Sequence, residues 1–217
     1  MLKNIRLIIF DLDGVLLDSS DAIVITFNKV LENHSLPKKS SKFVKSMIGM
    51  HLYDMFKRVD PNLDKKNLKI LFNEYVEAFP NICLPYCRLL PHAKEVLKFY
   101  HGKKKISLAT TKNAEVTRII LKELGVLQYF DLIMGFYEVS NQKPNPEIIN
   151  KTLNKLKIKP ENAVMVGDTT LDIEAGKNAG VYTIGITTGT HSREELESAK
   201  PDYIVDNLNQ IKRIIEK

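Results

Sequence analysis

"IIFDLDGVLLDSSDA", residues 8–22, places Asp11, Asp13 and Asp18 within eight positions, directly after a run of apolar and aromatic side chains. The run "IRLIIF" (5–10) is short, continuous and rich in isoleucine, the pattern of a strand buried on both faces. Similar runs recur as "KISLAT" (105–110), "DLIMG" (131–135), "AVMVG" (163–167), "YTIGI" (182–186) and "DYIV" (202–205). Helix-like segments lie between or after them, at 92–101, 114–124, 145–156, 170–179 and 207–216. Strand and helix alternating at this spacing predict an α/β fold, a doubly wound parallel sheet covered by helices on both faces.

Residues 17–86 break the alternation. They carry helical patterns and no convincing strand, best in 64–79, where Leu68, Leu71, Phe72, Tyr75, Val76 and Phe79 recur at the spacing of one helix face. A second helix is expected from Ser19 or Ser20, either of which can cap it, with Ile23, Phe27, Val30 and Leu31 turned inward. The expected organisation is therefore a core of residues 1–16 and 87–217 with an all-helical insertion, 17–86. Pro85 and Pro91 in "LPYCRLLPHA" discourage helix and suit the connection back to the core.

Composition narrows the function classes. In 217 residues, 44% are hydrophobic and 27% charged, which excludes a disordered or fibrous chain. No stretch reaches the roughly 20 apolar residues of a membrane helix, and "MLKNIRLIIFD" meets charge too early for a secretion signal. The expected location is the cytoplasm. Cys83 and Cys87, in "CLPYC", fit neither a zinc site nor a secreted disulfide framework and read as buried thiols. The net charge of +6 raises the question of nucleic acid, but the basic residues are mostly lysines scattered among 26 acids. No specific nucleic acid and no membrane partner are expected.

In a parallel α/β sheet, ligands sit beyond the carboxyl ends of the strands, so polar residues that directly follow strand runs carry the functional signal. Asp11 and Asp13 follow the first run, Thr110 closes "KISLAT", Lys143 lies in "NQKPNPE" after the third run, and Asp168 and Asp172 lie in "AVMVGDTTLDIEAG". Clustered carboxylates suit a hard cation such as Mg²⁺, while a lysine and a threonine hydroxyl suit a phosphoryl group. The cations are needed, because a carboxylate approaching a phosphate meets a repulsion of roughly 4 kcal/mol per charge pair at about 4 Å and an effective dielectric of about 20. Singly, each residue has a structural reading: a turn former, a helix cap, a solvated lysine. The set, in chain order and each at a strand end, points to phosphate chemistry. "AGKNAG" lacks the glycine and the Ser or Thr that a phosphate-binding loop requires, at Leu171 and Asn178, and is not a nucleotide motif. The five histidines lie outside these motifs and read as surface or packing residues.

Nearly the whole chain resembles the haloacid dehalogenase superfamily of phosphohydrolases, in particular its phosphoglycolate phosphatase-like members with a helical cap inserted after the first strand. "DLDGVLLDS" is similar to the DxDGTL or DxDGVL motif, "ISLATTK" to a strand ending in Thr or Ser, Lys143 in "KPNPE" to the motif lysine, and "VGDTTLDIEAGKNAG" to the acidic fourth motif. The resemblance implies that Asp11 is a nucleophile forming an aspartyl-phosphate and that Asp13 is the general acid and base. It also implies Mg²⁺ held by the carboxylates of Asp11 and Asp168 and the Asp13 carbonyl, with Asp172 a ligand or the partner of one. Thr110 and Lys143 would hold phosphate oxygens, and the backbone N–H groups of Leu12 and Thr111 would complete the cradle.

Two departures stand out: Thr111 where many relatives have Asn, and His92 where they often have Gly. The expected activity is hydrolysis of a small phosphorylated metabolite by a monomer or homodimer. A sugar-phosphate mutase of the beta-phosphoglucomutase type is the nearest alternative, disfavoured because no His occurs between Asp13 and His34. A pyrophosphatase, a phosphonate hydrolase with a cap lysine, and a non-catalytic phosphometabolite-binding protein are further alternatives. Asp13 argues against a dehalogenase, and intact Asp11, Asp13, Thr110, Lys143 and Asp168 argue against a mere binding module.

Overall fold

The computed structural model describes residues 1–215. The chain divides into two compact units, one of Met1–Leu17 with Leu89–Lys217 and one of Asp18–Arg88.

The larger unit is built on six parallel strands. β1 (Leu7–Phe10) is fully buried at its centre, and the passage out of this unit and back runs through β2 (Leu17–Asp18) and β3 (Arg88–Leu89), which form a two-stranded sheet. The remaining strands are β4 (Lys105–Ala109), β5 (Leu132–Met134), β6 (Ala163–Gly167), β7 (Tyr182–Ile186) and β8 (Tyr203–Val205). The order in the sheet is β5-β4-β1-β6-β7-β8, with Leu7 level with Lys105 on one side and with Ala163 on the other. The chain thus builds outward from one side of β1, then crosses to the other. That reversal opens a crevice at the carboxyl ends of β1, β4 and β6, where α/β sheets take their ligands.

The helices of this unit are amphipathic. Ala93, Val96, Leu97 and Tyr100 on one (Ala93–Tyr100) are buried, as are Ile148, Ile149, Thr152 and Leu153 on another (Glu147–Leu156). Leu7, Ile9, Met134, Ile149 and Met165 belong to one continuous core. His92 precedes the first of these helices with φ of 67°, the left-handed region, so it adopts the conformation that a glycine would take without strain. The terminal helix expected over 207–216 is shorter: a turn at Leu208–Gln210 and one helical turn at Ile211–Ile214, with residues 216 and 217 outside the described range.

The helical unit contains α1 (Ser20–Asn33), α2 (Ser41–Lys45), α3 (Leu52–Val59) and α4 (Lys65–Cys83). Ile23, Phe27, Val30 and Leu31 of α1 are buried, as are Leu68, Leu71, Phe72 and Phe79 of α4. Phe27 stacks on Phe56 at 4.7 Å and Tyr53 on Phe72 at 4.8 Å. Glu74, midway along α4, ties that helix to the carboxyl end of α1 by accepting from Asn33 Nδ2 at 2.6 Å and meeting His34 Nε2 at 2.6 Å. Two details differ from the sequence reading. α4 continues past Phe79 through Pro80 to Cys83, and Ser19 makes no side-chain cap; Asp18 Oδ1 instead accepts from Ser20 N at 3.0 Å. Cys83 and Cys87 are buried, and neither is in a disulfide among the described residues.

Candidate active site

Asp11 is the first residue beyond β1, and its amide continues the ladder by donating to Val166 O at 2.9 Å. Asp168 is the first residue beyond β6, and Thr110 the first beyond β4, its amide donating to Met134 O at 3.1 Å. Three adjacent strands therefore deliver three polar side chains to one edge, and all three residues are buried. Asp172 arrives from the helix over Thr170–Asn178, whose first turn is closed by a reciprocal cap: Thr169 Oγ1 and N both donate to Asp172 Oδ2, at 2.6 and 3.1 Å.

Lys143 holds this edge together. Its Nζ donates to Asp11 Oδ1 at 2.7 Å, to Asp172 Oδ1 at 2.5 Å and to the Ala109 carbonyl at 3.1 Å, with only 5% of its side chain exposed. The loop carrying it is fixed by Glu147, which accepts from Ser140 N, Asn141 N and Asn141 Nδ2 at 3.0, 2.9 and 3.0 Å. Lys151 and these donors hold the Glu147 carboxyl down at about 2.

One oxygen from each of Asp11, Asp168 and Asp172 lies within 4.8 Å of the others. Burial pushes Asp11 up to about 7; the Asp172 and Asp13 charges add to this, and Lys143 opposes it without prevailing. Asp168 is likewise raised by burial and by Asp172 and Asp11, against the Thr190 N–H and Lys143. Burial works to lower Lys143, but Asp11 and Asp172 raise it above the usual lysine range. Fully ionised, the three carboxylates would carry more negative charge than their one lysine offsets. Hard oxygen donors this close fit a divalent cation such as Mg²⁺, which supplies the missing positive charge.

Asp13 stands apart from that trio and pairs with Lys112, Nζ to Oδ2, at 2.9 Å. Leu12 is buried on the loop after β1, and its carbonyl accepts from Leu16 N and Leu17 N; Thr111 lies on the loop after β4. The Thr110 hydroxyl accepts from Lys112 N at 3.1 Å.

The sequence reading missed the segment after β7, "TTGTH" (187–191). Thr190 N donates to Asp168 Oδ2 at 2.8 Å, and Thr188 Oγ1 donates to Gly14 O at 2.6 Å. Gly189 is pressed against Asp168 so closely that a Cβ there would overlap its carboxylate. His191, read above as surface or packing, has a specific role: its Nδ1 accepts from Thr170 N at 3.1 Å at the start of the helix that carries Asp172. The same strand-end rule that found Asp11 would have found this segment, because it too follows an apolar run. Lys112 was missed for another reason: it looked like one of many solvated lysines.

The sequence pattern of the haloacid dehalogenase-like hydrolases matches residues 8–186. The chain belongs to that family and is a hydrolase of phosphatase type. Pyrophosphatase PpaX of Halalkalibacterium halodurans is 31% identical over 98% of this chain and 97% of its own. Among solved structures, the haloacid dehalogenase-like family protein SP0104 of Streptococcus pneumoniae superposes with a TM-score of 0.87 at 25% identity, covering 97% of this chain and 98% of that one. A predicted phosphoglycolate phosphatase of Haemophilus somnus gives 0.88 at 25% identity, covering 99% of both.

Proposed function

We propose that the protein is a Mg²⁺-dependent phosphatase for a small phosphorylated metabolite, acting through an aspartyl-phosphate on Asp11. The observation that carries this reading is the Lys143 clamp, which aims one oxygen of a buried carboxylate and leaves the other for attack. The Asp11 oxygen attacks phosphorus, the bond from phosphorus to the leaving oxygen breaks, and Asp13 gives that oxygen its proton. Water then attacks the phosphorus of the mixed anhydride while Asp13 takes its proton; the bond to Asp11 breaks and phosphate leaves. Thr110, Lys143 and the N–H groups of Leu12 and Thr111 serve as the cradle for the equatorial oxygens.

Mg²⁺ would be held by the Asp11 and Asp168 carboxylates and the Asp13 carbonyl, and when bound it offsets charge on nucleophile and phosphoryl group alike. Both Asp172 oxygens are engaged, by Thr169 and by Lys143, which suits Asp172 to orienting the clamp rather than to direct ligation. The helical unit takes the part of a cap that selects substrate. The two buried cysteines, outside any disulfide among the described residues, suit a reducing cytoplasm, and no helix among the described residues is long and apolar enough to cross a membrane.

The test is a panel of phosphorylated metabolites, including phosphoglycolate, pyrophosphate, nucleotides and sugar phosphates, assayed with Mg²⁺, with EDTA, and with Asp11→Asn. Phosphate release that vanishes in both controls is the expected result. Release that survives Asp11→Asn rules out the covalent route.

A further inference from the structure

We propose that Lys112 forms an anion subsite beside Asp13, so that the enzyme favours substrates whose leaving group carries its own negative charge: phosphoanhydrides and phosphorylated carboxylic acids. This rests on the reading of Asp13 as the acid that serves the leaving group.

Two lysines from different loops pair with the carboxylates at the strand ends. Lys143 is committed to Asp11 and Asp172 on the nucleophile side. Lys112 pairs with Asp13 at 2.9 Å, with 12% and 13% of the two side chains exposed, so it is sheltered yet more open than Lys143. A general acid lies about 3 Å from the oxygen it protonates, which puts the Lys112 ammonium at most about 6–8 Å from the leaving oxygen. That is the reach of an anionic group two or three bonds further along the departing fragment.

The lysine is also held in place. Its N–H donates to Thr110 Oγ1 at 3.1 Å, its carbonyl accepts from Phe136 N at 3.0 Å, and Asn113 beside it caps the helix over Ala114–Glu123 by accepting from Glu115 N at 2.8 Å. A side chain on so fixed a backbone loses little freedom when it binds an anion. Once Asp13 has given up its proton it is a carboxylate, and an anionic leaving group beside it meets a like charge that the ammonium offsets. With Lys112 between them, that group shares the ammonium with Asp13, whereas an uncharged leaving group has nothing to offer it.

The experiment compares wild type, Lys112→Met, Lys112→Gln and Lys112→Arg in the presence of Mg²⁺. The readout is the ratio of kcat/KM for phosphoglycolate to kcat/KM for ethyl phosphate, two alkyl phosphates whose poor leaving groups both need the acid, so that a general effect on Asp13 cancels, with pyrophosphate assayed alongside as the anhydride. Lys112→Met and Lys112→Gln are expected to lower this ratio about 10- to 100-fold, mainly through KM, as the loss of a charge-assisted hydrogen bond implies, and Lys112→Arg to restore most of it. An unchanged ratio, with both substrate classes losing equally, overturns the subsite and reduces Lys112 to a partner of Asp13. Wild-type protein that releases phosphate from neither class removes the phosphatase reading and the subsite with it.

Discussion

Lys143→Met removes the one cation from a cluster of three buried carboxylates, and its effect on stability can be worked out in advance. The ammonium sits 2.7 Å from Asp11 and 2.5 Å from Asp172, with 5%, 10% and 2% of the three side chains exposed. Breaking a buried ion pair from one side costs about 3–5 kcal/mol, because the other partner is left charged and dry. A chain of this size loses about 2–4 °C of melting temperature per kcal/mol, so in divalent-free buffer the variant should melt about 6–20 °C below wild type.

Lys105→Met is the matched control. Its pair with Asp131 is as short, 2.6 Å, but 54% and 28% exposed, so its removal costs at most about 1 kcal/mol. The pH dependence has a definite sign. Asp11 is raised from 3.8 to about 7 in the folded chain, so the folded state holds a proton that the unfolded state has released between about pH 4 and 7, and stability falls as pH rises through that window. Loss of Lys143 moves the carboxyl higher still. The deficit of the variant should therefore be larger at about pH 8 than at about pH 6, and millimolar Mg²⁺ should narrow it. Thermal denaturation followed by circular dichroism measures all of this. A folded variant melting within about 2 °C of wild type at about pH 8 would refute the claim that Lys143 offsets buried charge.

Gly189→Ala forces a methyl group into the Asp168 carboxylate and should destabilise by about 1–3 kcal/mol while weakening Mn²⁺ or Mg²⁺ binding measured by calorimetry. Gly185→Ala, four residues earlier, meets nothing nearer than 3.5 Å and should leave metal binding untouched. Ser107 in β4 carries the one buried side-chain oxygen without a hydrogen-bond partner among the described residues. Ser107→Ala should therefore be neutral or stabilise by up to about 1 kcal/mol in urea unfolding, and a loss beyond that would mean the hydroxyl has a partner.

The strands of the core were legible because a parallel sheet buried on both faces writes each strand as an unbroken apolar run. "AVMVG" and "YTIGI" match β6 and β7 residue for residue. The site was legible for a related reason: Asp11, Thr110 and Asp168 each end such a run, so the topology alone brings them together. The residues that hold the site gave no such signal. Thr190 reaches Asp168 through its backbone N–H, which no side-chain pattern records. Lys112 meets Asp13 across a distance in sequence that has no period, and among scattered lysines only the fold distinguishes it. In the helical unit, α2 and α3 are too short for periodicity to speak, at five and eight residues. His92 was noticed as a departure from glycine, and it nevertheless takes the left-handed turn, a strain that the flanking structure sustains.

Asp172 faces donors on both sides: Thr169 N–H and hydroxyl at one oxygen, the Lys143 ammonium at the other. Asparagine has the same shape and would still be the wrong replacement. Whichever way its amide is turned, the NH₂ end opposes a donor, so either the helix start or the lysine clamp is set against a like-polarity group. Anyone re-engineering this pocket would have to redesign Thr169 and Lys143 together with Asp172, as a single three-residue unit.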